Sequence, residues 1–248
     1  MTAALAAEGL SVSFGSLHAV ANVDLVLPAG ARHALIGPNG AGKTTFVSLL
    51  TGALAPDRGR VRLHGEDVTR ASVPARVKRG LGRTFQVTSL FPEMTAFEAV
   101  ALALAERDGL TWRCLRPLAR RERRDEAAAI LGRLGALPQA DRPLGTLAYG
   151  QQRVMEIALA LAGRPRVLLL DEPAAGIPAG ESTRLFEVLE SLPADLALLF
   201  IEHDMHLVRR FARTVTVMAG GAVLAEGSPA EVAADPAVRE AYLGRRRA

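Results

Sequence analysis

A glycine-rich segment at residues 37–44 has the residue types and the spacing of a phosphate-binding loop. Its sequence, Gly-Pro-Asn-Gly-Ala-Gly-Lys-Thr, fits the pattern G-x-x-x-x-G-K-[ST] at every fixed position. Glycines allow a tight turn in which successive backbone N–H groups point at phosphate oxygens. We therefore predict that Lys43 contacts the β- and γ-phosphates of a nucleotide and that Thr44 ligates Mg²⁺. A kinase, a GTPase or an ATPase would each use such a loop.

Two adjacent carboxylates, Asp171 and Glu172, are the second feature with chemical potential. They follow the apolar run 167–170, which is typical of a strand buried on both faces. Because ligands of α/β proteins bind at the carboxyl ends of the strands, we expect these carboxylates at the ligand site. Asp171 suits a magnesium ion, and Glu172 suits a water molecule that attacks phosphate. The alternative is a solvent-exposed acidic pair that merely ends a strand.

The segment 147–151, Leu-Ala-Tyr-Gly-Gln, is weak evidence by itself, because it also fits an ordinary loop at the start of a helix. Its position between the phosphate loop and Asp171 makes it informative. The order of the three features along the chain disfavours a simple kinase, which would need a lid and a second substrate pocket instead.

The elements around these motifs predict an α/β fold with a mainly parallel sheet and antiparallel strands at the N-terminus. Strand-like alternation or short apolar runs occur at 10–14, 23–27, 34–36, 61–63, 167–170, 196–201, 215–218 and 222–225. Helical spacing occurs at 43–50, directly after the glycine-rich loop, and at 185–192. Strands that alternate with helices favour a parallel sheet.

Residues 89–163 are predicted to be a mostly helical insertion. A capping-box pattern at Thr95 and Glu98 precedes an apolar run, and two further stretches, at 127–134 and 154–161, have helical periodicity. We expect a nucleotide-binding core at about 1–88 and 164–248, with a helical subdomain at about 89–163, in a single domain of 1–248. The basic stretch 116–124 is interpreted as a solvated face.

Composition narrows the class of protein further. Apolar residues make up 49% and charged residues 23% of the 248 residues, which is the globular range. The single cysteine excludes an internal disulfide framework and a cysteine-rich zinc site. The chain has no apolar run long enough to cross a bilayer and no leader pattern, so we expect a soluble, cytosolic chain. The net charge of +4 permits anionic partners without selecting one.

With these motifs in this order, the sequence resembles the ATP-binding subunits of ABC transporters over nearly its whole length. The resemblance implies ATP and Mg²⁺ as cofactors and assigns the ATP-binding residues as Phe14, Gly37, Pro38, Asn39, Gly40, Ala41, Gly42, Lys43, Thr44 and Thr45. Metal ligation is implied for Thr44, Gln86 and Asp171, and catalytic roles for Glu172, His203 and Gln86. Leu147, Ala148, Tyr149, Gly150 and Gln151 correspond to the signature motif, which binds the ATP of a second subunit.

Three of these assignments have structural alternatives. Phe14, which resembles the aromatic residue that stacks on adenine, also fits a core position of the first strand. Gln86 also fits a polar strand end, and His203, which resembles the switch histidine, also fits a structural role.

The branched-chain amino acid importer group is the most similar part of the family. The strings that carry this likeness begin at Arg83, Leu90, Leu147, Asp171, Ile201 and Ala241. Two departures concern the wider family pattern. Ala148 and Tyr149 replace serine and glycine, which removes a hydroxyl from the signature motif. Pro178 replaces the D-loop aspartate, and proline has neither a polar side chain nor an N–H.

The resemblance also implies partners. A homodimer or heterodimer of ATPase subunits is expected, together with an integral membrane permease that docks near 86–104, and indirectly an extracytoplasmic substrate-binding protein. The location implied is the cytoplasmic face of the cell membrane, and no nucleic acid is expected as a partner. Other functions that fit are a lipid or lipopolysaccharide exporter ATPase, a urea or amide importer ATPase and, more remotely, a non-transport ABC ATPase that acts on nucleic acid.

Overall fold

The computed structural model describes residues 3–84, 90–110 and 121–243. Gln86 and most of the basic stretch 116–124 therefore lie outside the described residues. The chain divides into two compact units. The first unit contains residues 1–83, 166–172 and 194–248, and the second contains 84–165 and 173–193. The second unit thus joins the helical segment with 173–193, a stretch that the sequence placed in the nucleotide-binding core.

Two sheets form the framework of the first unit. The antiparallel sheet has the order β2-β1-β4-β5 and contains β1 (Ala3–Phe14), β2 (Leu17–Pro28), β4 (Arg58–Leu63) and β5 (Glu66–Asp67). The other sheet has the order β10-β9-β3-β8-β7-β6 and contains β3 (Arg32–Ile36), β6 (Leu81–Arg83), β7 (Val167–Asp171), β8 (Ala197–Ile201), β9 (Thr214–Ala219) and β10 (Ala222–Gly227). The predicted α/β class with an N-terminal antiparallel sheet is confirmed.

Within the six-stranded sheet the first five strands along the chain are parallel, and only β10 is antiparallel to its neighbour, β9. The two glycines that join β9 to β10, Gly220 and Gly221, have positive φ angles of 57° and 82°. Such a pair is the preferred loop of a two-residue hairpin, and it reverses the chain directly after β9. The alternation argument for a parallel sheet therefore fails at this last strand.

In its described residues the first unit contains five helices: α1 (Lys43–Thr51), α2 (Val73–Lys78), α7 (Met205–Phe211), α8 (Pro229–Ala234) and α9 (Pro236–Leu243). Helix α1 follows the glycine-rich loop as predicted, whereas α2, α7, α8 and α9 were not predicted. Helix α1 and the central strands share one hydrophobic core. In it, Phe46 of α1 is fully buried in a cluster with Leu35, Leu169 and Leu199. The parallel strands are buried on both faces, which explains their unbroken apolar runs.

The second unit is helical. It contains α3 (Ala96–Arg107), α4 (Arg121–Arg133), α5 (Tyr149–Ala162) and α6 (Ala179–Glu190), with short 3₁₀ turns at Leu137–Gln139 and Leu144–Thr146. The predicted capping box at the start of α3 is confirmed: the Glu98 N–H donates to Thr95 Oγ1 at 3.2 Å, and the Thr95 N–H donates to the Glu98 carboxylate at 2.8 Å. In the part of the chain that the structure describes, no helix is long and apolar enough to cross a membrane.

Candidate active site

The glycine-rich loop lies between the carboxyl end of β3 and the first turn of α1. Strand β3 is central in the six-stranded sheet, between β9 and β8. Helix α1 begins at Lys43, after Gly42 in the left-handed conformation at φ 97°. The loop therefore occupies the position at which α/β sheets bind phosphates, with the amino terminus of a helix behind it.

Glycine is required sterically at two positions of this loop. A methyl group at Gly37, whose φ is 151°, would overlap the carbonyl oxygen of Met218 in β9. A methyl group at Gly42 would overlap the carbonyl oxygen of Ala19 in β2. The loop is consequently packed closely against strands from both sheets, which leaves no room for a side chain at either position.

The Lys43 ammonium group is held over the loop by two backbone carbonyl oxygens. Its Nζ donates hydrogen bonds to Gly37 O at 2.7 Å and to Pro38 O at 3.0 Å. Burial lowers the pKa of Lys43, and the negative charges of Glu172 and Asp171 oppose this shift. The fold thus brings Lys43 close to both predicted carboxylates, although they lie far apart along the chain.

Asp171 ends the fully buried strand β7 and has a partner that was not predicted. Its Oδ2 lies 3.3 Å from Nη2 of Arg83, which belongs to the neighbouring strand β6. Burial raises the pKa of Asp171, and Arg83 counteracts this only in part. A buried carboxylate with this unfavourable solvation is a hard oxygen donor suited to Mg²⁺, so the donor chemistry fits the predicted metal role.

Glu172 contacts His203 across neighbouring strands. Nε2 of His203 lies 2.6 Å from Oε1 of Glu172. The Glu172 backbone has φ 48°, in the left-handed region that glutamate rarely adopts, and its N–H donates to Ile201 O at 3.2 Å. Such strain costs roughly 1–3 kcal/mol and persists mostly at functional sites. Two residues predicted to act on the same phosphate therefore do meet in the structure.

The carboxyl end of α1 is fastened by a buried arginine, Arg76 of α2. Its guanidinium donates to the carbonyl oxygens of Leu49 at 2.7 Å and Leu50 at 2.6 Å, and also to those of Thr69 and Ala71. Arg76 is 1% exposed, and burial lowers its pKa. A cation at this end complements the helix dipole, so Arg76 fixes the helix whose other end faces the phosphate site.

The remaining predicted nucleotide contacts lie around the loop. Phe14, at the end of β1, is 53% exposed, which rules out the alternative core role and leaves its ring free for stacking. Asn39, Gly40 and Thr44 are exposed and Thr45 is half-buried, while Ala41 is buried. Gln86 lies outside the described residues, so its metal and catalytic roles remain predictions.

The signature residues are placed at the start of α5 in the second unit. Leu147 is buried, and Ala148 is the residue before the helix, with no side-chain bond to the first turn. Oε1 of Gln151 accepts from Ala148 N at 3.2 Å. The first N–H groups of a helix have no partner within the helix, so the turn at Tyr149 and Gly150 offers donors to an anion.

Pro178, the departure at the D-loop position, has a defined structural role. It is the residue before α6, and its carbonyl oxygen accepts from the N–H groups of Glu181 and Ser182, both at 2.9 Å. A proline suits this position because the residue preceding a helix does not need to donate from its own N–H.

Two residues near the phosphate loop were not predicted as part of the site. Arg83 was quoted only within a string, although a cation in β6, the strand next to β7, is positioned to hold the carboxylate predicted to bind the metal. Tyr242 of α9 accepts a hydrogen bond from the Gly37 N–H, and burial raises its pKa despite this bond. The string at 241–244 contained the signal for Tyr242, but its distance along the chain from the loop concealed the contact.

Comparison with known proteins agrees with the family resemblance of the sequence motifs. The family model described as ABC transporter matches residues 20–175, and the model described as branched-chain amino acid ATP-binding cassette transporter matches residues 222–248. The chain is 40% identical over 250 residues to the high-affinity branched-chain amino acid transport ATP-binding protein BraF of Pseudomonas aeruginosa. It is 41% identical over 248 residues to the corresponding protein LivG of Salmonella typhimurium. Each alignment covers 97% of both chains.

A solved structure of the ADP conformation of an ATP-binding cassette from an ABC transporter superposes with a TM-score of 0.86 at 31% identity. The superposition covers 98% of this chain and 100% of that one. A phosphate loop, a paired acidic motif and a signature helix within one such fold, together with these matches, establish the family. The chain belongs to the ABC transporter family and is an ATP-binding cassette ATPase.

Proposed function

We propose that this chain is the ATP-hydrolysing subunit of an ABC importer that powers uptake of branched-chain or related amino acids through a separate permease. The observation that carries the substrate class is the match of residues 222–248 to the C-terminal model of branched-chain amino acid cassettes. Two relatives named for the same transport align over 97% of the chain and support it.

ATP would bind at the amino terminus of α1. Lys43 exchanges its bonds to the Gly37 and Pro38 carbonyls for bonds to phosphate oxygens, and the exposed ring of Phe14 stacks on the base. Thr44, Asp171 and Gln86 would hold Mg²⁺. When bound, Mg²⁺ neutralises the charge that develops on the phosphate oxygens.

Glu172 would orient and deprotonate the attacking water. Its carboxylate is partly exposed and directly follows β7, where a water molecule can reach it. His203 contacts this carboxylate through Nε2 and would orient it toward the γ-phosphate. General-base assistance of this kind contributes about 10²- to 10⁴-fold to the rate.

Two chains would be needed for one complete catalytic cycle. Each chain carries a single phosphate loop at 37–44 and a single signature segment at 147–151. We propose a head-to-tail dimer in which the start of α5 in one subunit binds the γ-phosphate of ATP held by the other, since a helix amino terminus attracts anions. The partner is an identical chain or a related ATPase.

The importer assembly would place this subunit at the cytoplasmic face of the cell membrane. The permease would dock on the helical subdomain near 86–104, where Phe91 is 62% exposed. A substrate-binding protein on the other side of the membrane would deliver the amino acid. In this arrangement, one ATPase domain provides the nucleotide-binding core and the helical subdomain provides the docking surface.

Reconstitution tests the proposal. The chain is co-purified with its permease, inserted into proteoliposomes with ATP inside, and supplied outside with the cognate binding protein. We expect uptake of labelled leucine, isoleucine or valine, and none with the Lys43→Ala variant. Uptake of urea or acetamide alone would contradict the substrate class, and outward movement of lipid would contradict import.

A further inference from the structure

The aromatic residue of the signature segment, Tyr149, joins the start of α5 to the loop 173–178, which directly follows Glu172 in the chain. Its ring packs on the backbone of Gly176, because a methyl group there would lie 3.3 Å from Cε1 of the ring. Gly176 has φ 75°, which favours glycine, so the ring meets a backbone surface that no side chain covers.

The other edge of Tyr149 is held by a buried arginine one turn further along the same helix. Nη2 of Arg153 donates to the Tyr149 hydroxyl at 2.7 Å, and the guanidinium carbon lies 5.1 Å from the ring centroid. Nη1 of Arg153 bonds to Glu156 at 2.8 Å, and Arg153 is 3% exposed. The ring is therefore fixed in one orientation by a hydrogen bond and a cation–π contact.

Gly150 brings the helix start even closer to the following segment. A methyl group at Gly150 would lie 2.7 Å from Oε2 of Glu181 and 3.8 Å from Cγ2 of Ile177. The first turn of α5 thus packs against residues 176–181 through two consecutive positions, Tyr149 and Gly150.

We propose that Tyr149 is a positioning residue that couples the anion-binding start of α5 to the loop after Glu172 within one subunit. The inference rests on the head-to-tail dimer proposed above. When the start of α5 engages the partner's ATP, any displacement of this turn is transmitted by the ring to Gly176, because the two surfaces are in direct packing contact. Pro178 ends this loop and directly precedes α6, so the carboxyl end of the loop is joined to a helix.

The test uses Tyr149→Ala and Tyr149→Phe, each combined with Glu172→Gln to accumulate the ATP-bound dimer. Alanine has the highest helix propensity, so α5 should still form, whereas phenylalanine keeps the ring and removes only the hydrogen bond to Arg153. Leu137→Ala, at an exposed residue of the same unit, is the control. Dimer dissociation constants come from analytical ultracentrifugation with ATP, and monomer affinity from equilibrium titration.

We expect Tyr149→Ala to weaken the ATP-dependent dimer about tenfold, the range of coupling contributed by one contact, with a smaller effect of Tyr149→Phe. Monomer affinity for ATP should change less than twofold in both, because the Lys43 site is intact. Backbone amides of 174–178 should exchange hydrogen faster in Tyr149→Ala without nucleotide.

Each remaining outcome overturns a defined part of the account. If Tyr149→Ala leaves the dimer dissociation constant unchanged, or leaves amide hydrogen exchange at 174–178 unchanged, the coupling role of Tyr149 is refuted. The head-to-tail dimer is not affected by that result. A parallel loss of monomer affinity would show that the residue is merely structural. If Glu172→Gln itself forms no dimer with ATP, the head-to-tail dimer is refuted, and the coupling role with it.

Discussion

His203 and Glu172 lie 2.6 Å apart because their strands are paired in a fixed register. Asp171 of β7 is opposite Ile201 of β8, so Glu172, which directly follows β7, and His203, the second residue after β8, lie close together at the carboxyl edge of the sheet. The contact places an imidazole nitrogen next to the carboxylate assigned to the attacking water. The contribution of His203 to ATP hydrolysis can therefore be measured separately from nucleotide binding.

Replacement of His203 by alanine should lower kcat for ATP hydrolysis about 10²-fold while ATP affinity changes less than twofold, since the histidine orients the base and does not hold the phosphate loop. Steady-state kinetics and an equilibrium titration check this. His206→Ala, at an exposed histidine three residues further on, is the matched control and should behave as wild type. Wild-type kcat in His203→Ala would show that the 2.6 Å contact has no catalytic consequence.

The two lysines of the chain provide a controlled test of the phosphate loop. Lys43→Ala should reduce ATP affinity at least about tenfold, because it removes a charged hydrogen-bonding partner of the phosphates. Lys78→Ala, at an exposed residue of α2, removes the only other lysine and should leave the affinity unchanged. Equal affinities for the two variants in a fluorescent nucleotide titration would be incompatible with the assignment.

Asp171→Asn should change the thermal stability of the chain and its ATPase activity in opposite directions. Burial raises the pKa of Asp171, so the folded chain holds the proton more tightly than the unfolded chain does. The ionised carboxylate consequently destabilises the fold above this pKa, and the penalty disappears as the pH falls through it. We expect Asp171→Asn to have a higher Tm than wild type near pH 7 without nucleotide, and to lose Mg²⁺-dependent turnover.

The same reasoning gives a pH dependence for this variant. The difference in Tm should shrink as the pH falls below the raised pKa, where wild-type Asp171 also becomes neutral. Differential scanning calorimetry at several pH values measures it. A lower Tm of Asp171→Asn at pH 7 would mean that the 3.3 Å pairing with Arg83 outweighs the cost of burial.

Arg76→Met should destabilise the chain by about 3 kcal/mol, because several buried carbonyl oxygens lose a charged donor and each unsatisfied group costs about 1–3 kcal/mol. For a chain of this size the loss corresponds to a Tm decrease of roughly 6–12 °C. Arg79→Met, at the residue directly after the same helix, removes an exposed ion pair and should change stability by less than about 0.5 kcal/mol. Similar Tm values for both variants would contradict the role assigned to Arg76.

Local sequence patterns were sufficient to predict the phosphate loop, the capping box of α3 and the buried strands β7 and β8. In each case residues close together in the chain determine the local structure, so their types and spacing contain the necessary information. The short helices α2, α7, α8 and α9 were missed, because three of them have fewer than eight residues and too few turns to establish a period.

The contacts that organise the site could not be predicted, because they depend on register between distant segments. Arg76 binds backbone carbonyl oxygens of distant residues, an arrangement with no sequence pattern. The pairing of Arg83 with Asp171 depends on β6 lying next to β7. The reversal at Gly220 and Gly221 did have a signal, since two glycines between strands favour a hairpin, but the alternation of strands and helices obscured it.

Single-turnover and steady-state hydrolysis by Glu172→Gln test the central claim most directly. Glutamine keeps the size of the side chain and cannot accept the proton of the attacking water. The account predicts that the kcat for ATP hydrolysis falls at least about 10²-fold while the dissociation constant for ATP stays within twofold of wild type. Wild-type turnover in Glu172→Gln would contradict the assignment of Glu172 as the residue that activates water.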